Sequence, residues 1–257
     1  MGRALRLGRA FIVVLAGIVA GVSLYVGFVQ AGVLPNPFPP VLEGELAGAR
    51  SDRPGVRVLF VGNSMTYYHG MPQMVERLAT GDAGAEPLFA VSYTRPGWTL
   101  EEAAADDRLA QLIQSVRWDA LVLQEQTGRA SESADWLRYQ TVPYAQELQR
   151  PIEAYGGRTL LYMTWYRRYE DDLGSLLSVP VAPVASALGE AHWRRPDLQL
   201  LESDGHHPSL GGSYLAACVF YAVLTGRNPV RSSYNGGLAP ADARFLRRVA
   251  GDVVGAG

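Results

Sequence analysis

The 257-residue chain contains no lysine; all 23 of its basic side chains are arginine. With no side-chain amine, Schiff-base catalysis, pyridoxal phosphate attachment and a P-loop are excluded. Cysteine occurs once, as Cys218, so no intramolecular disulfide forms. Its setting, Tyr214-Leu215-Ala216-Ala217-Cys218-Val219-Phe220-Tyr221, predicts a buried structural thiol rather than a nucleophile. Four histidines leave little for a metal cage. A basic cluster is also missing: from Glu43 onward 20 arginines face 25 acids, a net charge of −5 that argues against nucleic acid as a partner. What remains is an ordinary globular composition, 48% hydrophobic and 19% charged, able to bury a sizeable core.

The N-terminus predicts an address. Residues 1–9 carry Arg3, Arg6 and Arg9, and residues 10–34 carry no charge. A run of that length crosses a hydrocarbon core of about 30 Å as a helix. The basic flank predicts a cytoplasmic start and an extracytoplasmic body, so the expectation is a membrane protein with a single pass. A cleaved signal peptide, with Val29-Gln30-Ala31 at the cleavage site, is the alternative and gives a secreted or periplasmic protein. The Pro-rich residues 35–53 read as a stiff spacer, and the folded domain as 54–257.

Beyond the spacer, strand and helix patterns alternate. Val56 to Val61 is a β-branched apolar run, and Met71 to Thr80 has helical spacing. Pro87 to Ser92 predicts a second strand. Thr99 to Val116 predicts a helix whose Thr99 and Glu102 have capping-box spacing. Asp119 to Leu123 and Thr159 to Thr164 predict two more strands, separated by a helix over Ala134 to Tyr155. A helix over Val181 to Trp193 precedes a short fifth strand at Leu198 to Leu201. Leu210 to Leu224 and Pro240 to Val254 close the chain as helices. Five strands alternating with helices imply an α/β/α sandwich around a mostly parallel sheet.

Ligands of such sheets bind beyond the carboxyl ends of the strands. Those ends read Gly62-Asn63-Ser64, Arg95-Pro96-Gly97-Trp98-Thr99, Gln124-Glu125-Gln126-Thr127, Trp165-Tyr166-Arg167-Arg168 and Asp204-Gly205-His206-His207-Pro208. Together they supply a nucleophile, a glycine turn, amides, aromatics, and an acid with histidine. Gly62-Asn63-Ser64 after its strand resembles the first block of the SGNH, or GDSL-type, hydrolases, with Asn for the commoner Asp. Asp204-Gly205-His206-His207-Pro208 resembles that family's last block, Asp-x-x-His-Pro, and Gly97 matches the glycine of its second. The third block, Gly-x-Asn-Asp, is altered: counting puts Gln126 at the asparagine, with Gln124 as the alternative.

The resemblance implies a flavodoxin-like five-stranded fold and a serine esterase without metal or cofactor. A serine hydroxyl needs a base to take its proton. His207 is placed to do so while Asp204 holds its other nitrogen. Donors for the oxyanion are expected from the backbone N–H groups of Ser64 and Gly97 and the Gln126 amide. Asn63, Trp98, Trp165 and Tyr166 are candidate substrate contacts. The expected substrate is an acyl ester, small or polysaccharide-borne, with O-acetyl carbohydrate in view. Carbohydrate acyl transfer by the same triad is one alternative, and a non-catalytic tethered polysaccharide-binding module is another. A metal cluster of Glu202, Asp204, His206 and His207 is disfavoured because adjacent histidines on one loop do not converge on one ion. The sequence carries no signal of oligomeric state.

Overall fold

A computed structural model of the chain describes residues 43–165 and 170–256. Among the described residues no helix is long and apolar enough to cross a membrane. The 1–9 flank, the 10–34 segment and Tyr166 lie outside them.

Five strands, β1 (Val56–Gly62), β2 (Leu88–Thr94), β3 (Ala120–Leu123), β4 (Arg158–Tyr162) and β5 (Val181–Ala182), form one sheet in the order β2-β1-β3-β4-β5. Every pairing is parallel, with Phe60 beside Ser92 and Val122, and Leu161 beside Leu123 and Val181. This is the flavodoxin-like order, in which the chain reverses direction across the sheet at β1 and β3.

The unbroken apolar run of β1 follows from burial on both faces. Val58 and Phe60 point into one core with the helices Met71–Thr80, Val184–Arg194, Leu210–Thr225 and Pro240–Val254. Leu59 and Val61 point into the other, with Asp107–Ser115 and Val142–Ala154. Leu210–Thr225 has almost no polar side because it is buried all round, which places Cys218 at 0% exposure with its thiol pushed up by burial.

The fifth strand differs from expectation. It is Val181–Ala182, where a helix start was read, and the helix begins only at Val184. Pro180 and Pro183 explain this, since a residue before proline is driven out of the α region and toward extended backbone. Leu198–Leu201 does not join the sheet; Leu201 makes only an isolated antiparallel bridge to Pro208. Two helices read as continuous are each broken in two. Asp106 caps a new helix through Arg108 N and Leu109 N, and Thr141 separates Ala134–Gln140 from Val142–Ala154.

The domain also begins earlier than Pro54, with the helix Glu43–Ala49. The Glu45 carboxylate accepts Ser92 N–H at 3.0 Å on the open edge of β2, and Arg57 Nε donates to Ala49 O at 2.8 Å. The helix thus covers an edge that would otherwise present unpaired N–H groups. It runs antiparallel to β2, so residue 43 joins the domain at the end of the sheet where Ser64 lies.

Behind the sheet, Asp82 is 5% exposed and accepts two bonds from Arg227, each 2.8 Å, and one from Tyr221 Oη at 2.7 Å. The Arg227 guanidinium, with the Tyr221 hydroxyl, holds this carboxyl well below the usual carboxylate range. A depressed folded-state value means the stabilisation is present above the unfolded value of about 3.9 and is lost as pH falls through the acid range beneath it. Asp82→Ala is expected to cost about 3 kcal/mol at neutral pH, the lower end for removing one partner of a buried pair. It should also flatten the acid branch of a thermal-melt series. Parallel acid branches in variant and parent would contradict this.

Candidate active site

β1 delivers Ser64 to the rim. The strand ends at Gly62, and Asn63 caps the short helix Ser64–Tyr67 by accepting Met65 N–H on Oδ1 at 3.2 Å. Asn63 Nδ2 donates to Trp98 O at 2.9 Å, and Asn63 N–H donates to Gln124 Oε1 at 2.8 Å. Asn63 is 3% exposed with both ends of its amide engaged, so it fixes the serine turn rather than contacting substrate. Gly62 is needed beneath it, because a Cβ there would fall 2.6 Å from Gln124 Oε1.

Asp204 and His207 come from a tight excursion between Leu201 and Pro208. Glu202 N–H donates to His207 O at 2.8 Å, and Ser209 N–H to Leu200 O at 3.0 Å, closing its base. Within it, Asp204 Oδ1 accepts the N–H groups of His206 at 2.8 Å and His207 at 2.9 Å, and Asp204 Oδ2 meets His207 Nδ1 at 2.7 Å. His207 Nε2 lies 3.0 Å from Ser64 Oγ. Ser64, His207 and Asp204 therefore form one continuous hydrogen-bonded chain. His207 and the two N–H groups hold Asp204 well below the usual carboxylate range, so it is ionised across the physiological span.

The turn Arg95-Pro96-Gly97-Trp98, closed by Trp98 N–H to Arg95 O at 3.3 Å, is tied to the residues before Ser64 by Arg95 N–H to Gly62 O at 3.2 Å and Asn63 Nδ2 to Trp98 O at 2.9 Å. Proline second and glycine third, with Gly97 at φ 65°, are the demands of a type II turn. Gly97 is exposed, and among the described residues neither its N–H nor that of Ser64 donates a hydrogen bond. The serine's own N–H and that of Gly97, in the neighbouring turn, are therefore unspent donors.

The two glutamines separate cleanly. Gln124 is 0% exposed; its Oε1 accepts Asn63 N–H and Thr66 Oγ1–H, and its Nε2 donates to Glu125 O at 2.6 Å, so burial and these bonds commit it to the turn. Gln126 accepts Arg129 N–H on Oε1 at 3.0 Å, and its Nε2 carries no bond among the described residues.

Of the aromatic candidates, Trp98 is only 6% exposed, tilted against Tyr93 and under the Arg95 guanidinium, so it belongs to the core rather than the cleft. Trp165 is half-buried and donates Nε1–H to His206 O at 2.9 Å, which steadies the base loop. It also lines, with Leu188, Leu198 and Leu201, a cavity of about 600 Å³ that none of Ser64, Asp204 or His207 lines. The cavity is therefore separate from the triad. No group of three or more potential metal ligands occurs among the described residues.

Three features were not anticipated. Glu125 is 4% exposed, and its Oε1 accepts Leu100 N–H at 3.2 Å and Gln126 N–H at 2.7 Å, tying the segment after β3 to the start of the helix Leu100–Ala104. Burial pushes its carboxyl up. A charge directly after the apolar Leu121-Val122-Leu123 was the available signal. Tyr68 lies against His207, and His69 bonds Glu202, contacts between segments far apart in sequence that nothing local announces.

The chain matches no protein-family model and no curated protein. Among solved structures it shares its fold with a DUF4886 family protein from Bacteroides uniformis, at 16% identity and a TM-score of 0.64 over 78% of this chain and 95% of that one. Other similar structures are a putative SGNH hydrolase from Slackia heliotrinireducens (24% identity, TM-score 0.49, 66% of this chain and 99% of that one) and a lipase/acylhydrolase from Enterococcus faecalis (17%, 0.49, 66% and 96%).

Proposed function

We propose that the chain is an SGNH-type serine esterase, held outside the cytoplasm by residues 10–34 and acting on an acyl ester without metal or cofactor. The observation that carries this reading is the chain Ser64 Oγ, His207 Nε2, His207 Nδ1, Asp204 Oδ2, with links of 3.0 and 2.7 Å, beside the unspent N–H groups of Ser64 and Gly97. Ser64 Oγ attacks the ester carbonyl as His207 Nε2 takes its proton. The resulting oxyanion is held by the two N–H groups and the Gln126 amide. Collapse expels the alcohol, which receives the proton from His207. Water, activated by the same base, then releases the acid from Ser64 and restores the enzyme.

The exposed rim and the extracytoplasmic address favour an O-acyl group, O-acetyl among them, on an envelope or extracellular carbohydrate. Residues 43–257 are expected to hydrolyse nitrophenyl acetate and to release acetate from an acetylated oligosaccharide, followed by acid titration. Addition of a sugar acceptor should leave the yield of free acid unchanged. Acyl-sugar formed at the expense of acid would replace hydrolysis by transfer, and sugar binding without turnover of either ester would reject an enzyme.

A further inference from the structure

The ring of Tyr68 lies flat on the imidazole of His207, with centroids 4.3 Å apart and planes 7° from parallel. A close parallel stack of this kind is one of the packings that aromatic rings favour when their centres are offset. It suits a ring that carries positive charge part of the time, because a cation is drawn to the face of a phenol ring. His207 acquires that charge when it takes the Ser64 proton. Its ring nitrogens are spoken for by Asp204 and Ser64, and the His206 ring stands nearly perpendicular to it, with centroids 4.7 Å apart and planes at 85°, so among the described residues Tyr68 is the aromatic ring that lies parallel on its face.

Tyr68 is held there from both sides. On one, its backbone N–H donates to Ser64 O, so the nucleophile and the covering ring belong to one turn. On the other, His69 occupies left-handed backbone at φ 52° and places its Nε2 2.9 Å from Glu202 Oε1. Glu202 in turn donates its N–H to His207 O. Left-handed backbone at a residue other than glycine persists only where surrounding contacts enforce it, and such residues cluster at functional sites. The contact enforcing it here joins the turn of the nucleophile to the loop of the base.

We propose that Tyr68 is a positioning residue for His207, fixing the plane of the imidazole and stabilising the imidazolium formed during acyl transfer, with the His69–Glu202 pair clamping it in place. The proposal rests on the Ser64–His207–Asp204 reading and adds a fourth member to that set.

The test compares Tyr68→Leu, which removes the ring face, with Tyr68→Phe, which keeps the face and removes only the hydroxyl. Tyr68→Leu is expected to lower kcat by about tenfold, the scale of one partly desolvated cation–π contact, with KM little changed. The acid limb of its kcat/KM profile should move to lower pH, because the charged ring has lost a stabilising neighbour. Tyr68→Phe should recover most of the rate and return the limb toward the parent position. A ring-proton titration of His207 by NMR in a Ser64→Ala background, with and without Tyr68→Leu, reads the same shift with no turnover required. It keeps a failure of the stacking proposal distinct from a failure of the esterase reading. Coincident NMR titrations with and without Tyr68→Leu would overturn the proposal. So would a loss in Tyr68→Leu that Tyr68→Phe does not recover, since the face would then not be the active feature.

Discussion

Ser64→Ala should reduce ester turnover by roughly 10⁴ to 10⁶-fold, the range seen when the nucleophile of a hydrogen-bonded triad is removed. The size of the loss follows from how little else changes. In the proposed mechanism the substitution deletes the attacking atom, yet it leaves the Ser64 backbone N–H, the Asn63 cap and the Gln124 bonds intact. Substrate binding and the thermal midpoint should therefore stay near those of the parent. That pairing of lost turnover with retained fold and binding separates a nucleophile from a structural serine. A loss of less than about tenfold would leave the hydroxyl without a chemical role, since ten is the factor produced by only 1.36 kcal/mol of barrier.

Asp204→Asn is expected to cost about 10⁴-fold in kcat, as when an acid of this kind is replaced by its amide. Asp204 Oδ1 accepts two backbone N–H groups, which an amide oxygen also can do, so the loop retains its shape. The amide nitrogen is then left facing His207 Nδ1, in place of the oxygen now 2.7 Å away. An N–H facing that ring nitrogen requires it to accept, which moves the imidazole proton to Nε2. Nε2 then points a hydrogen at Ser64 Oγ and cannot take the serine proton. The defect should ease at alkaline pH if added hydroxide substitutes for the missing base. A variant of near-parental activity would show that the Asp204–His207 bond is structural only.

Legibility differed between the sheet and its margins for a physical reason. β1, the helix Met71–Thr80 and the helix Pro240–Val254 carry their burial pattern in their own residues, and each lies where periodicity puts it, the last two to the residue. β5 was missed because two residues give no period, and its pairing with β4 comes from the flanking prolines and the neighbouring strand. The helix Glu43–Ala49 holds two glycines and owes its place to contacts beyond its own residues, with β2 far along the sequence and with Arg57 at the start of β1.

Within the site, the same distinction holds. Ser64 is legible because it follows the end of β1, and Asp204 and His207 because of their Asp-x-x-His spacing. The division of labour among Asn63, Gln124 and Gln126 depends on which amide is buried, and burial is a property of the assembled turn. Trp98 illustrates the reverse error: a tryptophan in a polar rim loop reads as a contact residue, yet it folds inward against Tyr93 and offers the cleft only its backbone.

The central claim is that Ser64, His207 and Asp204 act together on an electrophile. Reaction of residues 43–257 with a fluorophosphonate, followed by peptide mass mapping, tests nucleophile, base and oxyanion donors in one step. The account predicts a single covalent adduct on Ser64, absent from Ser64→Ala and strongly slowed in Asp204→Asn. An adduct on another residue, or labelling unchanged in Ser64→Ala, would contradict it.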